Sequence, residues 1–271
     1  MQPSKAVIPL GGSGSRMNPV TGGQYPKELL TLGDQTVLER LVSEFELCGV
    51  ESILFILNRN NPETEDFLSD LAAKFDIHFH KIHQDGRKGL GDAVLYAEGF
   101  IKRGESFYLG FPDDVFISYN NDIPGIAYYK GIYSGTPIIM ATEVPDSEVS
   151  KYGILDTVEV EVGCGVITKI VEKPTLEEAP SNLAIVGRYI LDWRIFHFLK
   201  KSRTLRKFTA SGELDLSNAL SCYSHAMYVT APHHCAHFDC GCPDGYNKAV
   251  LFVNQTMFSN PNSEGDKPCI S

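Results

Sequence analysis

Residues 35–58 read QTVLERLVSEFELCGVESILFILN, and their hydrophobic pattern changes partway along the stretch. The first part places apolar residues at the three- and four-residue spacing of one helix face: Val37, Leu38, Leu41, Val42 and Phe45. Gly49 follows at a position where helices commonly end. The last part, ESILFILN, is a continuous apolar run typical of a strand that is covered on both faces. This stretch therefore predicts a helix followed by a buried strand.

The same alternation continues on both sides of this stretch. Upstream, KAVIPL has the composition of a short apolar strand. Downstream come a helical pattern (NPETEDFLSDLAAKF), a strand (IHFHKIH), another helical pattern (GLGDAVLYAEGFI) and a further strand (SFYLGF). Strands that alternate with helices in this way predict an α/β fold of the Rossmann-like, three-layer α/β/α type, built on a central mixed, mostly parallel sheet.

The second half of the chain is richer in strands. TPIIMATEV and NLAIVGRYIL predict strands, and ILDTVEVEVGCGVITKIVEKP predicts a hairpin about Gly163 and Gly165. Three further segments predict helices: DWRIFHFLKK, GELDLSNALSCYS and GYNKAVLFVNQTMF. Since no linker rich in Pro, Gly or Ser divides the halves, we expect one domain over 1–258, with halves at about 1–118 and 119–258, and a disordered tail over 259–271.

Composition excludes several classes of function. The formal net charge is −10 over 271 residues, which argues against broad nucleic-acid binding. The N-terminal stretch has no apolar core like that of a secretory signal, and no apolar run approaches membrane-spanning length, so we expect no membrane partner. Seven cysteines, an odd number, favour reduced thiols and a cytoplasmic protein.

The segment GGSGSR, residues 11–16, directly follows the first predicted strand. Glycines at the carboxyl end of such a strand allow backbone N–H groups to approach phosphate oxygens, and Arg16 can add a bidentate contact. The dinucleotide fingerprint fails because Met17 stands where its third glycine is needed, and the P-loop pattern is absent. A phosphate-binding loop is favoured, and a purely structural turn is the alternative.

Other strand ends carry polar side chains whose roles are ambiguous when each is considered alone. Lys27 precedes an apolar run, and Gln84 ends a strand just before the Gly-Leu-Gly at residues 89–91. A glutamine amide close to bare backbone can read the edge of a base, although helices also commonly start with glycine. Asp113 and Asp114 suit Mg²⁺ bound together with phosphates and water, or else form an aspartate-rich turn.

Taken together and in order, these segments resemble the sugar-1-phosphate nucleotidyltransferase family, and within it the bacterial UTP–glucose-1-phosphate uridylyltransferases. The matching segments are AVIPLGGSGSRMNP, PKELL, KGLGDAV, PDD, KYGILD, IVEKP, PSNLAIVGRYIL, GELDLSNAL and FDCG, and they cover about residues 5–255. PSNLAIVGRY favours the glucose uridylyltransferase branch over the thymidylyltransferase branch. The resemblance implies a nucleotide-binding first half, a sugar-binding second half, and a homo-oligomer.

The resemblance also implies roles for individual residues. The loop that would wrap the nucleotide consists of Gly11, Gly12, Ser13, Gly14 and Ser15. Arg16 would contact the leaving pyrophosphate portion, and Lys27 the region of the α-phosphate. The residues implied for the base pocket are Glu28, Gln84 and Gly89, of which the last two would read the uracil.

For the second substrate and the metal, the resemblance implies a separate set of residues. Asp113 and Asp239 would bind Mg²⁺. Glu172 would accept hydrogen bonds from the sugar hydroxyls beside Gly153 and Gly187, and Lys173 would grip the phosphate of glucose 1-phosphate. We therefore expect in-line attack of that phosphate on the α-phosphate of UTP, giving UDP-glucose and pyrophosphate without a general base.

The chain departs from the family pattern at several positions. The segment between Arg16 and Lys27 is one residue longer than usual, and Asp92 stands where a histidine is common. The longer loop leaves open a weakly active regulator that binds nucleotide sugars. Since the sequence alone does not fix the base or the sugar, another sugar 1-phosphate or dTTP remains a possible substrate. The spacing in HHCAHFDCGC, residues 233–242, loosely fits zinc, so a metal site there is a further alternative.

Overall fold

The computed structural model describes residues 2–12, 14–58, 62–86, 88–119, 122–129, 133–209 and 212–258. Ser13 and the segment 259–271, which was expected to be disordered, lie outside this part of the chain. None of the helices in the described ranges is long and apolar enough to cross a membrane.

The elements follow the predicted alternation in the first half. The strands are β1 (Lys5–Pro9), β2 (Thr31–Leu32), β3 (Gln35–Thr36), β4 (Ser52–Asn58), β5 (His78–Gln84), β6 (Ser106–Gly110), β7 (Asp114–Ser118), β8 (Ile138–Glu143), β9 (Gly153–Glu161), β10 (Cys164–Glu172), β11 (Leu183–Asp192), β12 (Met227–Thr230) and β13 (Cys235–Asp239). The α-helices are α1 (Asn18–Thr21), α2 (Val37–Leu47), α3 (Pro62–Leu71), α4 (Leu90–Leu95), α5 (Arg194–Thr204), α6 (Leu216–Leu220) and α7 (Pro243–Phe258). Short 3-10 helices occur at Ser15–Met17, Lys27–Leu29, Tyr96–Gly99, Gly125–Tyr129 and Asp146–Lys151.

Nine strands form one mixed sheet in the order β5-β4-β1-β6-β11-β8-β12-β10-β9. Pairing is parallel from β5 through β4 and β1 to β6, and again between β8 and β12. The other pairings are antiparallel, including one between β9 and β11 at Ile154 and Ala184 that closes the second half of the sheet on itself. The expectation of a mostly parallel sheet is therefore wrong beyond β6, since a tight turn at Gly163 joins β9 to β10 as a hairpin, which can only be antiparallel.

Helices cover both faces of the parallel strands. Along β1, Ala6 and Ile8 pack in the cluster that contains the apolar sides of α2 and α3. Val7, between them, packs in a second cluster with α4, α5 and α6. This alternation explains why ESILFILN lacks a polar face, because β4 is buried on both sides.

Helix α2 confirms the helix that residues 35–58 predict. Its apolar face is buried, and Gly49, just beyond its end, has the positive φ of 79° that glycine tolerates best. The helix starts at Thr36, whose buried hydroxyl accepts a hydrogen bond from Glu39 N at 3.0 Å. This bond satisfies one of the backbone donors left open at a helix start.

Thr36→Ala is expected to lower the free energy of unfolding by about 1 kcal/mol, because it removes this cap. Thr204→Ala is the matched control, since the Thr204 hydroxyl only donates to Lys200 O on the exposed end of α5. Urea unfolding followed by circular dichroism measures both variants. Equal stability of the two variants would show that the cap contributes nothing.

Three predicted helices are shorter than their patterns indicate. The pattern that runs to Phe75 gives α3, which ends at Leu71. The helical pattern at residues 89–101 gives α4 and then a 3-10 helix from Tyr96 to Gly99. The pattern at 212–224 gives only α6, because Leu214 is held by backbone hydrogen bonds to Lys88 and Gly91 and cannot join a helix. Asp215 then caps α6 by accepting from Ser217 N. As a result, Glu213 lies against the start of α4.

Candidate active site

The carboxyl ends of the parallel strands surround a cavity of about 580 Å³. Leu10 and Gly11 follow β1, Gln84 ends β5, and Phe111 follows β6. The lining residues that the sequence singled out are Gly11, Gly12, Arg16, Lys27, Glu28, Gln84, Gly89 and Asp113. The structure therefore gathers most of the predicted nucleotide residues at one edge of the sheet, where α/β proteins bind ligands.

The glycine loop lies directly against Lys27. Gly14 has a φ of 61°, in the left-handed region that favours glycine, and it starts the 3-10 helix containing Ser15 and Arg16. A Cβ atom placed on Gly12 would lie 3.7 Å from Lys27 Nζ, so a side chain at this position would be in contact with the ammonium group. Pro26 precedes Lys27 and gives the extended entry to the 3-10 helix that carries it.

Lys27 and Asp113 form an ion pair on the cavity wall, where Lys27 Nζ donates to Asp113 Oδ2. Burial alone would lower the pKa of Lys27, but the adjacent Asp113 carboxylate holds that pKa above its ordinary value. Burial alone would likewise raise the pKa of Asp113, and Lys27 brings it below the ordinary range. Both side chains are therefore charged at neutral pH.

Asp239 and Arg16 meet Asp113 at a single point beside Gly241. A Cβ atom placed on Gly241 would lie 2.9 Å from Asp113 Oδ2, 2.9 Å from Asp239 Oδ1 and 3.2 Å from Arg16 Nη2. The pairing of β13 with β7 causes this convergence, because it sets Asp239 opposite Asp114. Burial raises the pKa of Asp239, and the neighbouring carboxylates of Asp114 and Asp113 raise it further.

The donor set beside Gly241 fits a hard divalent cation. Two carboxylates supply oxygen ligands, and Mg²⁺ in proteins is commonly held by one or two carboxylates together with phosphates and water. A cation there would also relieve the repulsion that raises the pKa of Asp239. The described ranges contain no group of three or more His, Cys, Asp or Glu side chains able to hold a metal.

The zinc alternative for residues 233–242 is wrong for the side chains that the structure describes. His237 Nε2 lies 2.8 Å from Asp114 Oδ1, and the described side chains of residues 233–242 belong to no group of three or more His, Cys, Asp or Glu residues able to hold a metal. Cys235 and Cys240 are buried in the protein, and Asp239 faces Gly241. Part of this segment forms β13, where His237 contacts Asp114 of the PDD segment at residues 112–114.

The predicted sugar residues form a neighbouring cluster outside the lining of the cavity. Glu172 Oε2 accepts from Ser217 Oγ at 2.7 Å and lies 3.1 Å from a Cβ placed on Gly153. Gly187 N donates to Asp114 Oδ2 at 3.0 Å, and a Cβ on Gly187 would clash with Phe111, which lines the cavity. Phe111 and Asp114 therefore connect the predicted sugar residues to the nucleotide cavity.

Lys173 directly follows β10, which ends at Glu172. Its φ of 47° bends the chain at the end of β10, so the two neighbouring side chains do not point to opposite faces as they would in a continuous strand. Lys173 Nζ lies 3.8 Å from Glu172 Oε1, and the Lys173 side chain is 60% exposed. Lys173 N donates to Tyr152 O, and the hydroxyl of Tyr152 donates to Asp239 Oδ2 at 3.2 Å.

The sequence did not predict a role for several residues of the site. Tyr152 and His237 touch Asp239 and Asp114 only because strands that are distant in sequence pair. Glu213 lines the cavity and lies 2.5 Å from a Cβ placed on Gly89, a close approach that glycine permits. The segment GELDLSNAL signals that this region matters, but nothing in it indicates contact with residue 89.

Comparisons with known proteins place this chain in a family. Residues 5–256 match the family model described as nucleotidyl transferase. The UTP–glucose-1-phosphate uridylyltransferase of Haemophilus influenzae is 31% identical, with 91% of this chain and 92% of the relative covered. The enzyme of the same name from Mycoplasma pneumoniae is 33% identical, with 92% and 91% covered.

Among solved structures, a UDP-glucose pyrophosphorylase complexed with UDP-glucose superimposes with a TM-score of 0.84. It shares 29% sequence identity, and the match covers 93% of this chain and 99% of the solved one. The family match spans both halves of the sheet and every strand end that lines the cavity. The chain belongs to the nucleotidyl transferase family.

Proposed function

We propose that this enzyme transfers a uridylyl group from UTP to glucose 1-phosphate, forming UDP-glucose and pyrophosphate. The observation that carries the proposal is the convergence of Arg16, Lys27, Asp113 and Asp239 beside a glycine-rich loop at the strand ends. Such a cleft supplies both cations for phosphates and carboxylates for a metal ion. The relatives named as UTP–glucose-1-phosphate uridylyltransferases support the choice of substrates.

The reaction requires two anions to approach each other. A phosphate oxygen of glucose 1-phosphate attacks the α-phosphorus of UTP in line, the bond from that phosphorus to the bridging oxygen breaks, and pyrophosphate leaves with the electron pair. The attacking oxygen is already ionised, so no general base is needed. Lys27 and Arg16 neutralise the nucleotide phosphates, and Lys173 holds the attacking phosphate, so catalysis is alignment plus charge neutralisation.

The nucleotide is bound by the cavity. The backbone from Gly11 to Ser15 wraps the phosphates, with Ser13 included from the sequence alone. Gln84 and Gly89 read the uracil. Glu28 forms part of the base pocket, where its Oε1 accepts from Thr64 Oγ1 at 3.0 Å and burial raises its pKa.

Nucleotidyltransferases of this family generally use a divalent metal ion. We propose Mg²⁺ as that ion, held by the carboxylates of Asp113 and Asp239. When bound there, the ion supplies positive charge to the triphosphate. Tyr152 orients Asp239 by donating a hydrogen bond to it, and the positive charge of Arg16 lies beside both carboxylates.

Gly241→Ala is expected to raise the Mg²⁺ concentration for half-maximal activity about tenfold, because the added methyl group displaces both carboxylates. Gly99→Ala is the matched control, since a Cβ there meets no atom within 4 Å. Pyrophosphate release titrated with MgCl₂ measures the effect. A Gly241→Ala variant with the magnesium dependence of the parent would exclude a metal at this position.

The sugar phosphate is proposed to lie near Glu172, Gly153 and Gly187, with Lys173 on its phosphate. Lys173→Ala is expected to raise KM for glucose 1-phosphate about ten- to a hundredfold and to leave KM for UTP nearly unchanged, because one charged hydrogen bond is lost. Lys169→Ala, at an exposed position of β10, is the control. Equal KM values for the parent and Lys173→Ala would remove this residue from the site.

Pyrophosphate release from a panel of nucleotides and sugar 1-phosphates tests the function as a whole. Turnover of UTP with glucose 1-phosphate above all other pairs supports the proposal. A different preferred sugar phosphate or dTTP would reassign the substrates. Tight UDP-glucose binding without turnover would indicate a regulator instead of a working enzyme.

We also propose that residues 1–258 act as one nucleotidyltransferase domain of Rossmann-like, three-layer type, with a nucleotide half over about 1–118 and a sugar half over about 119–258. One sheet contains strands from both halves, which supports a single domain in which each half binds one substrate. The helices on both faces of the parallel strands support the layered description.

A cytoplasmic homo-oligomer completes the proposal. The cysteines in the described ranges are all free thiols, which supports a reducing location. Val158 and Val160 on the β9–β10 hairpin are 58% and 63% exposed, and apolar side chains on such an outer strand suit contact with a second copy. Light scattering of the purified chain measures its oligomeric state, and a monomer at micromolar concentration would remove this part of the proposal.

A further inference from the structure

The amide group of Gln84 has a fixed orientation in the cavity wall. Gln84 is 5% exposed, and its Nε2 donates to Asp92 Oδ2 at 2.8 Å. Its Oε1 points the other way and lies 2.9 Å from a Cβ placed on Gly11. Within the described part of the chain, no hydrogen-bond donor reaches Gln84 Oε1, which lies beside Gly11 where both residues line the cavity.

Asp92 is held in turn by α5. Its side chain is 6% exposed, and its Oδ1 accepts from Arg203 Nη2 in an ion pair. Each carboxylate oxygen of Asp92 therefore meets a donor, one from Gln84 and one from Arg203. Because Arg203 is on α5, this arrangement connects the cavity to a helix that does not line it.

The chemistry of aspartate makes the orientation of Gln84 obligatory. An ionised carboxylate only accepts hydrogen bonds, so Gln84 can meet it with the NH₂ group but not with the carbonyl oxygen. A neutral histidine, by contrast, both donates and accepts and would not impose one orientation by itself. Asp92 therefore fixes the orientation of the Gln84 amide.

We infer that Asp92, clamped by Arg203, is a positioning residue that presents the carbonyl oxygen of Gln84 to the nucleotide base and thereby selects uracil or thymine over cytosine. The inference rests on the proposed function, in which Gln84 reads the base. Uracil and thymine carry an N3–H donor that matches this oxygen, whereas N3 of cytosine is an acceptor and would face it with no proton between them. A mismatch of this kind in a buried site costs about ten- to a hundredfold in binding.

Asp92→Asn tests the inference with almost no change in shape. An asparagine can donate to Gln84 Oε1, so the glutamine amide becomes free to turn its NH₂ group toward the cavity. With glucose 1-phosphate and Mg²⁺ saturating, we expect the ratio of kcat/KM for UTP to kcat/KM for CTP to fall at least about tenfold, mainly because CTP improves. Damage to packing alone would lower both values together and leave their ratio unchanged.

Two further variants complete the experiment. Arg203→Met should lower the same ratio to a smaller extent, because Asp92 loses its clamp. Glu98→Gln is the control, since it breaks the neighbouring Lys200–Glu98 ion pair to α5 without touching Gln84, and its ratio should match the parent. An unchanged ratio in Asp92→Asn overturns the inference, and an unchanged ratio in Arg203→Met alone overturns the role of the clamp.

Calorimetric binding of UTP and CTP gives a readout that does not need turnover. A parent that prefers UTP, and loses that preference on Asp92→Asn, supports the inference even if the sugar substrate is reassigned. A parent that turns over UTP with glucose 1-phosphate while Asp92→Asn keeps the full preference for UTP contradicts the inference and leaves the proposed function intact.

Discussion

Asp113→Asn is expected to lower kcat for pyrophosphate release about a thousandfold. The carboxylate of Asp113 serves the ion pair with Lys27 and the proposed metal site shared with Asp239. The variant loses both at once, and losing a single electrostatic contact in an active site already costs about a hundred- to a thousandfold.

Steady-state kinetics with UTP and glucose 1-phosphate measures this effect, and circular dichroism checks that the fold is retained. Asp70→Asn on the exposed side of α3 is the matched control and should behave as the parent. A folded Asp113→Asn enzyme whose kcat stays within about threefold of the parent would place the chemistry elsewhere in the molecule.

Arg188→Met is expected to lower the free energy of unfolding by about 3–5 kcal/mol, because it leaves the buried carboxylate of Glu44 without its partner. Arg188 Nε lies 3.0 Å from Glu44 Oε2, and the two side chains are 2% and 3% exposed. Arg188 Nη1 also donates to Phe111 O at 2.8 Å and to Gly187 O at 3.0 Å. The loss therefore reaches the backbone of the site as well as the core.

The destabilisation should depend on pH in a defined direction. Burial raises the pKa of Glu44 in the folded protein, and removing Arg188 takes away the positive charge that opposes this shift. A carboxyl group whose folded pKa lies above its unfolded pKa stabilises the fold below the unfolded pKa and loses that contribution as pH rises through the folded pKa. Arg188→Met should therefore be less destabilised at pH 5 than at pH 8.

Urea unfolding at both pH values measures this, with Lys248→Met as the control. Lys248 and Asp244 form an exposed ion pair, with side chains 64% and 77% exposed, and breaking such a pair costs at most about 1 kcal/mol. The double variant with Glu44→Gln should regain part of the lost stability, since no buried charge remains. A pH-independent change below about 1 kcal/mol in Arg188→Met would mean that the pair does not hold α2 to the sheet.

Local sequence patterns were sufficient to predict the parallel half of the fold. The helix spacing in residues 35–58 and the apolar run of β4 depend only on neighbours in sequence, and both are confirmed. The loop at residues 11–16 follows β1 directly, so its position at the carboxyl edge also follows from sequence order. These features carry Gly11, Gly12, Arg16 and Gln84 to the cavity.

The antiparallel half depends on strand pairings that no local sequence pattern predicts. β7 and β13 are more than a hundred residues apart along the chain, and only the register of their pairing sets Asp239 opposite Asp114. The closure of β9 on β11 and the short α6 arise in the same way, from contacts with distant backbone. The resemblance to a family supplied Asp239 and Lys173, whose spacing alone predicts no common site.

The role of Asp92 was missed for a related reason. Its position in a predicted helix assigns it no contact, and the sequence contains no sign that Arg203 and Gln84 reach it from two sides. A departure from the family pattern at residue 92 was visible, but its meaning depends on the direction of a glutamine amide. That direction follows only from the three-dimensional contacts.

The most direct test of the whole account is a crystal structure of this chain with UDP-glucose and Mg²⁺. We expect a metal ion bound by both Asp113 and Asp239, the uracil N3–H donating to Gln84 Oε1, and the glucose hydroxyls against Glu172. A nucleotide sugar bound away from these strand ends, or a metal that contacts neither carboxylate, would contradict it.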